Sequence, residues 1–98
     1  MTAPSHRVIT NLRVRGLLDL VDTVCVLRGV TRDEVCGRQR TRAVTAARHE
    51  LWWRLRAHPQ RCYSFPEIAR LFGCDHSTII QGVAAHQRRQ MARDHGTA

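Results

Sequence analysis

The chain has 98 residues, 43% hydrophobic and 5% aromatic, and carries a net charge of +8 from 16 basic and eight acidic side chains. That length supports one hydrophobic core and a single domain over 1–98, and the apolar share is that of a globular chain. Every basic residue is Arg, so the Gly-Lys-Ser/Thr end of a P-loop is absent. No run reaches the roughly 18 apolar residues of a membrane span, and Met1 to Thr10 has no apolar signal-peptide core.

The pattern along the chain is helical throughout, with a core expected over 6–92 and flexible tails at 1–5 and 93–98. The first helix is expected from His6 to about Arg28, because Leu17, Leu18, Val21, Val24 and Cys25 form one stripe. Gly16 weakens its middle and is a candidate break, and Gly29 is a C-terminal stop. Thr31-x-x-Glu34 is a capping box that opens a short helix ending by Gly37. Residues 37–42, Gly-Arg-Gln-Arg-Thr-Arg, then read as a basic loop.

A longer helix is expected over about Ala43 to Ala57, with Val44, Ala47, Leu51, Trp52 and Leu55 on one face. Trp53 lies off that stripe, so it is either partly exposed or packed on a neighbouring element. Pro59 disfavours helix at His58, and His58 to Tyr63 reads as a connector. Ser64-Phe65-Pro66-Glu67 is a second capping box, opening a short helix that carries Phe65, Ile68 and Phe72 inward. After a turn at Gly73-Cys74, a last helix runs from about Asp75 to Met91, its inner face set by Ile79, Ile80, Val83 and Gln87.

Four cysteines, at 25, 36, 62 and 74, are widely spaced and form no C-x-x-C pair. The spacing of Cys62, Cys74 and His76 is poor for zinc. The expectation is no metal, no cofactor, and buried or half-buried free thiols in a cytosolic protein.

The fold class expected is therefore all-α: a small helical domain with a helix-turn-helix over 64–90, of the kind in Trp-repressor-like domains. A strongly basic, all-Arg chain favours a polyanionic partner, since the planar guanidinium matches phosphates and guanine edges. Asp75-His76-Ser77-Thr78 puts four small or polar hydrogen-bonding groups at the start of the second motif helix, where a recognition helix meets base edges. Each also has an ordinary structural use: Asp75 and Ser77 suit a helix start, and His76 suits an exposed surface. The same Asp, His and Ser are the residue types of a hydrolase triad. Neighbours within one helical turn point in different directions and cannot act as one, so no enzyme is expected.

These residues resemble the C-terminal DNA-binding domain of the bacterial replication initiator DnaA, its domain IV. The family signature S-L-P-E-I-G followed by F-G-G-R-D-H-T-T-V is similar to Ser64-Phe65-Pro66-Glu67-Ile68, Leu71-Phe72-Gly73 and Asp75-His76-Ser77-Thr78-Ile79. Its basic loop, R-S-R-x-V with an Arg four residues on, is similar to Arg40-Thr41-Arg42-Ala43-Val44 and Arg48. Val30-Thr31 through Val35 resembles the short helix before that loop, and the resemblance covers about Leu17 to Gln87.

The resemblance implies sequence-specific binding of double-stranded DNA at sites called DnaA boxes, of the type TTATCCACA. Asp75, His76 and Ser77 match base-reading positions, and Thr78 matches a base or backbone contact. Arg40 matches an Arg that enters the adjacent minor groove, with Arg42 beside it. Arg38, Arg48, Arg61 and Ser64 are the expected phosphate contacts. Three departures stand out. The turn Gly73-Cys74-Asp75 is one residue shorter than the family's and lacks its Arg, Ser77 replaces a Thr, and Ala46 replaces an Arg. Arg54, Arg56, Arg61 and Arg70 are the candidates to supply phosphate contacts in place of those absent arginines.

The implied role is a replication or transcription regulator without ATPase, cytoplasmic and nucleoid-associated, monomeric or weakly dimeric, with no membrane contact. A start at Met1 followed by a polar tail points to a stand-alone chain. The alternative is a protein-interaction module, using Trp53 and the first helix to dock a replication or transcription partner.

Overall fold

The stripe expected to run unbroken from His6 to Arg28 is interrupted at Gly16, which adopts φ +70°, a left-handed backbone that other residues rarely take. In the computed structural model, which describes residues 4–96, this break separates α1 (Pro4–Val14) from α2 (Leu18–Arg28). Four helices follow: α3 (Arg32–Cys36), α4 (Arg42–Arg56), α5 (Phe65–Phe72) and α6 (His76–Gly96). There is no strand among the described residues, and the chain is all-α.

Both capping boxes form. Thr31 Oγ1 accepts from Glu34 N at 3.1 Å while Thr31 N donates to Glu34 Oε1 at 2.8 Å. Ser64 Oγ accepts from Glu67 N at 3.2 Å while Ser64 N donates to Glu67 Oε1 at 3.0 Å. Each box satisfies two backbone donors that a helix start leaves unpaired, so both short helices begin where their local chemistry dictates.

The core is one cluster built around α4, which packs on α2 and α6. Leu12, Val21, Val24, Leu51, Ile68 and Ile79 are fully buried in it or nearly so. The break at Gly16 lets α1 fold back against α3 and α5 rather than extend α2. Val8 and Leu12 anchor it in the core. Tyr63, at the end of the connector, is also buried. Its N–H donates to Leu55 O at 3.1 Å and its carbonyl accepts from Arg56 Nη1 at 3.1 Å.

Several expectations need correction. The inner face of α6 is Ile79, Gly82, Val83 and His86, all buried, whereas Ile80 is 42% exposed and Gln87 is exposed. The true stripe runs i, i+3, i+4, i+7. Ile80 and Gln87 lie about 100° round from it. Gly82 is there because Trp52 presses against it: a Cβ at that position would sit 2.5 Å from the indole Cε3. Phe65 and Phe72 pack at the edge of the core rather than inside it. Phe72 meets Trp52 edge-on at 5.8 Å, and Phe65 lies under the Arg56 guanidinium at 4.3 Å. Trp53 is half-buried against His86, ring centroids 5.1 Å apart. The expected tails shorten, since Pro4 and Ser5 belong to α1 and α6 continues to Gly96. Residues 1–3 and 97–98 lie outside the described residues. Of the four free cysteines, Cys62 is exposed rather than buried. Burial pushes the Cys36 thiol up to about 12, which keeps it protonated and inert.

Candidate nucleic-acid interface

The basic loop between α3 and α4 is held from beneath by one side chain. Arg48, half-buried on α4, donates through Nε to Val35 O at 2.8 Å and through Nη2 to Glu34 O at 2.9 Å and Gly37 O at 2.7 Å. These carbonyls sit at the end of α3, where helical partners run out and the helix dipole favours a cation. Burial pulls the Arg48 pKa below the ordinary guanidinium value, and nearby Arg40 adds to that pull. Thr41 fixes the other end of the loop, its Oγ1 accepting from Val44 N at 3.3 Å. With both ends pinned, Arg38, Arg40 and Arg42 are left exposed.

The helix-turn-helix is built by α5, Gly73 and α6. Gly73 caps α5 with φ +68°, and Cys74 N donates back to Ala69 O at 3.0 Å. The chain re-enters helix at His76, with Asp75 O accepting from Thr78 N at 3.1 Å and from Ile79 N at 3.4 Å. Asp75, His76, Ser77 and Thr78 are all exposed, and Ile79 is fully buried. Asp75 precedes the helix, and on its first turn, which takes 3.6 residues, His76, Ser77 and Thr78 face solvent while Ile79 faces the core. The start of α6 is therefore anchored by Ile79 and presents a row of polar side chains to solvent.

Between the loop and the motif lies a cleft of about 940 Å³. Arg38, Arg40 and Arg48 line it from the loop side, and Arg70, Cys74 and Thr78 from the motif side. Among the described residues, Arg38, Arg40 and Arg70 form no ion pair. The cleft therefore carries uncompensated positive charge facing a concave surface, the electrostatic form of an anion site.

The structure thus brings Arg38, Arg40, Arg48 and Thr78 together on one cleft. Asp75, just before α6, and His76 and Ser77 on its first turn adjoin the cleft, and Arg42 is exposed at the start of α4. Ser64 and Arg61 lie elsewhere, at the start of α5. Ser64 Oγ is engaged by its capping box. Arg61 pairs with Glu67 and stacks over the Tyr63 ring at 4.8 Å. The Ser64 backbone N–H, with help from Arg61, holds the Glu67 carboxyl down to about 2. Of the four arginines expected to supply phosphate contacts in place of the absent ones, only Arg70 faces the cleft: Arg54 pairs with Glu50, and Arg56 with the Tyr63 carbonyl. Sequence reasoning missed Arg7 of α1, which lines the same cleft. No local signal marks it, because it arrives only when α1 folds back.

The family model described as bacterial dnaA protein helix-turn-helix matches residues 18–85, from the first residue of α2 into α6. The chain belongs to the DnaA helix-turn-helix family. Membership implies DNA binding, and the match contains both the loop and the exposed turn described above. It leaves α1 outside. No curated protein and no solved structure matched the chain. Among the described residues no helix is long and apolar enough to cross a membrane.

Proposed function

We propose that this DnaA-family domain reads DnaA-box-like sites in duplex DNA and thereby regulates replication or transcription, with no catalytic or ATP-hydrolysing step of its own. One observation carries the reading: the exposed polar row Asp75 to Thr78, at the start of α6, stands beside an arginine-lined cleft. A helix start of that kind fits the major groove, which admits an α-helix end-on or along its length.

The roles follow from the chemistry of each group. Asp75 accepts from a cytosine or adenine amino group, and His76 touches a thymine methyl and donates to a base acceptor. Ser77 and Thr78 complete the contacts, Ser77 without the methyl that a Thr would offer to thymine. Arg40, with Arg42 beside it, enters the neighbouring minor groove, whose negative potential deepens where A·T pairs narrow it. Arg38 holds phosphate. Arg48 supports the loop and turns its remaining N–H groups toward phosphate. Arg61, 55% exposed even in its ion pair, and the start of α5 at Ser64 hold the strand on the far side. Arg70 holds phosphate in place of the Arg that the shortened turn lacks. The domain acts as a monomer or weak dimer on cytoplasmic, nucleoid-associated DNA.

Selection of bound duplexes from a random pool at near-physiological salt, followed by sequencing, tests the proposal. The expected outcome is a box-like motif with an A·T-rich flank. Equal affinity for single-stranded and duplex DNA of any sequence would overturn it. A salt titration separates this reading from docking of a protein partner as the main activity. Binding through several phosphates weakens steeply as salt rises, whereas an apolar contact does not.

A further inference from the structure

One wall of the arginine cleft comes from outside the family match. The match begins at Leu18, after α1 has ended. Yet Arg7 and Asn11, one turn apart on the same face of α1, line the cleft together with Arg38, Arg40 and Arg70. The placement of α1 is specific. Asn11 Nδ2 donates to Leu71 O at 3.1 Å, two residues before the glycine that ends α5. Val8 and Leu12 sit in the core on either side of that bond. Arg7 itself is exposed and, among the described residues, makes no ion pair. The helix is therefore fastened to the helix-turn-helix while its cation is left free toward the cleft.

The space matters because of what must cross it. A duplex with its major groove on the first turn of α6 and the adjacent minor groove on the 37–42 loop has one phosphate strand between those grooves. That strand must pass over the gap between the two elements, and the gap is this cleft. Like charges gathered without carboxylates repel one another in the free protein, and a phosphate strand relieves that repulsion.

We infer that α1 is part of the DNA-binding surface, with Arg7 and Arg70 holding the phosphate strand that separates the two grooves. The inference rests on the duplex-binding reading above and adds a contact made from an element the family match does not include. Arg7 acts on affinity for any sequence, since phosphates carry no base identity.

The test compares Arg7→Ala with Arg13→Ala, the same loss of charge on the same helix but away from the cleft. Binding of the full chain to a selected duplex and to a scrambled one is measured by fluorescence anisotropy across a salt series. Circular dichroism confirms that both variants stay helical, and Arg7→Gln serves as a second variant at the same site. For Arg7→Ala the slope of log affinity against log salt should become shallower by about 0.9, the value of one phosphate contact. Affinity for both duplexes should fall by the same factor, and Arg13→Ala should keep the original slope. An unchanged slope for Arg7→Ala and Arg7→Gln, or an equal change for Arg13→Ala, overturns the inference. If His76→Ala abolishes sequence preference while Arg7→Ala changes nothing, this inference fails and the duplex-reading proposal stands. If the unaltered chain binds no duplex, both fail.

Discussion

Two groups of arginines in this domain do opposite things. Between α2 and α4, buried Glu50 draws in Arg28 at 2.7 Å and Arg54 at 2.8 Å, and Asp22 holds Arg32 at 2.7 Å nearby. By contrast, Arg7, Arg38, Arg40 and Arg70 gather on a cleft with no carboxylate paired to any of them among the described residues. The first group holds the fold together and the second is left for a ligand. Net charge alone could not separate them. With eight acidic residues against 16 basic ones, where the carboxylates sit decides which face of the protein remains cationic.

The sharpest way to break this contrast is to remove Glu50. Burial by itself raises the pKa of that carboxyl, but hydrogen bonds from Arg28 and Arg54 overcome it and the net shift is downward. Glu50→Ala leaves two half-buried guanidiniums unpaired and should cost about 3 kcal/mol or more of stability, as breaking a buried pair does. Urea denaturation reads this, and the variant that remains folded should keep the duplex affinity of the unaltered chain. Arg48 lies on the border between the groups, supporting the cleft from inside the fold. Arg48→Ala should lower stability by roughly 2 kcal/mol by removing its charged hydrogen bonds and should weaken DNA binding as well, because the loop loses its anchor.

Acid acts on two shielded histidines, His86 of α6 and His49 of α4. Both ring nitrogens of His86 are buried and, among the described residues, have no hydrogen-bond partner. Burial depresses its pKa, with Glu50 opposing and Arg28, Arg89 and Arg54 reinforcing the shift. His49 is pulled to about 4 by burial, then by Arg89, His86, Arg48 and Arg88. For both, the folded pKa lies below the unfolded value, so the unfolded chain binds more protons in acid. Stability should be fully present above about pH 6.5 and decline as pH falls toward the folded values, by at most about 1.4 kcal/mol per pH unit for each histidine. In thermal melts at falling pH, His86→Phe should flatten that decline. An identical pH profile for the variant would remove His86 from the account.

On the unpaired side the expected stability effects are smallest. Arg40→Ala should move stability by less than about 0.5 kcal/mol, since the side chain is exposed and unpaired. Its affinity loss should fall mainly on boxes with an A·T flank. A uniform loss over all sequences would make Arg40 a phosphate contact instead.

The local parts of this architecture were legible in the residues. Thr31 with Glu34, and Ser64 with Glu67, announce helix starts because their hydrogen bonds span three residues, and Pro59 announces a stop for the same local reason. The exposed turn at Asp75 to Thr78 was also readable, since polar residues there fit both a helix start and a recognition surface. What depends on distant packing was not. The inner face of α6 rests on Gly82 and His86, neither of which a hydropathy stripe selects, so Ile80 and Gln87 took their places in the expectation. The three carbonyls under Arg48 come from α3 and the residue after it, and only the folded arrangement brings them to α4. Arg7 reaches the cleft because Gly16 reverses the chain, and nothing near Arg7 in the sequence carries that information.

In the proposed complex Asp75 to Thr78 read bases, Arg40 favours an A·T flank, and the phosphate-holding arginines supply affinity without sequence. His76→Ala separates these roles, because His76 is exposed at the start of α6. Affinity for a selected box and for a scrambled duplex is measured side by side for the unaltered chain and the variant, with thermal unfolding as a check on folding. The expected result is a loss of about 1–3 kcal/mol on the box, almost none on the scrambled duplex, and an unchanged melting temperature. Equal losses on both duplexes with the fold intact would contradict it.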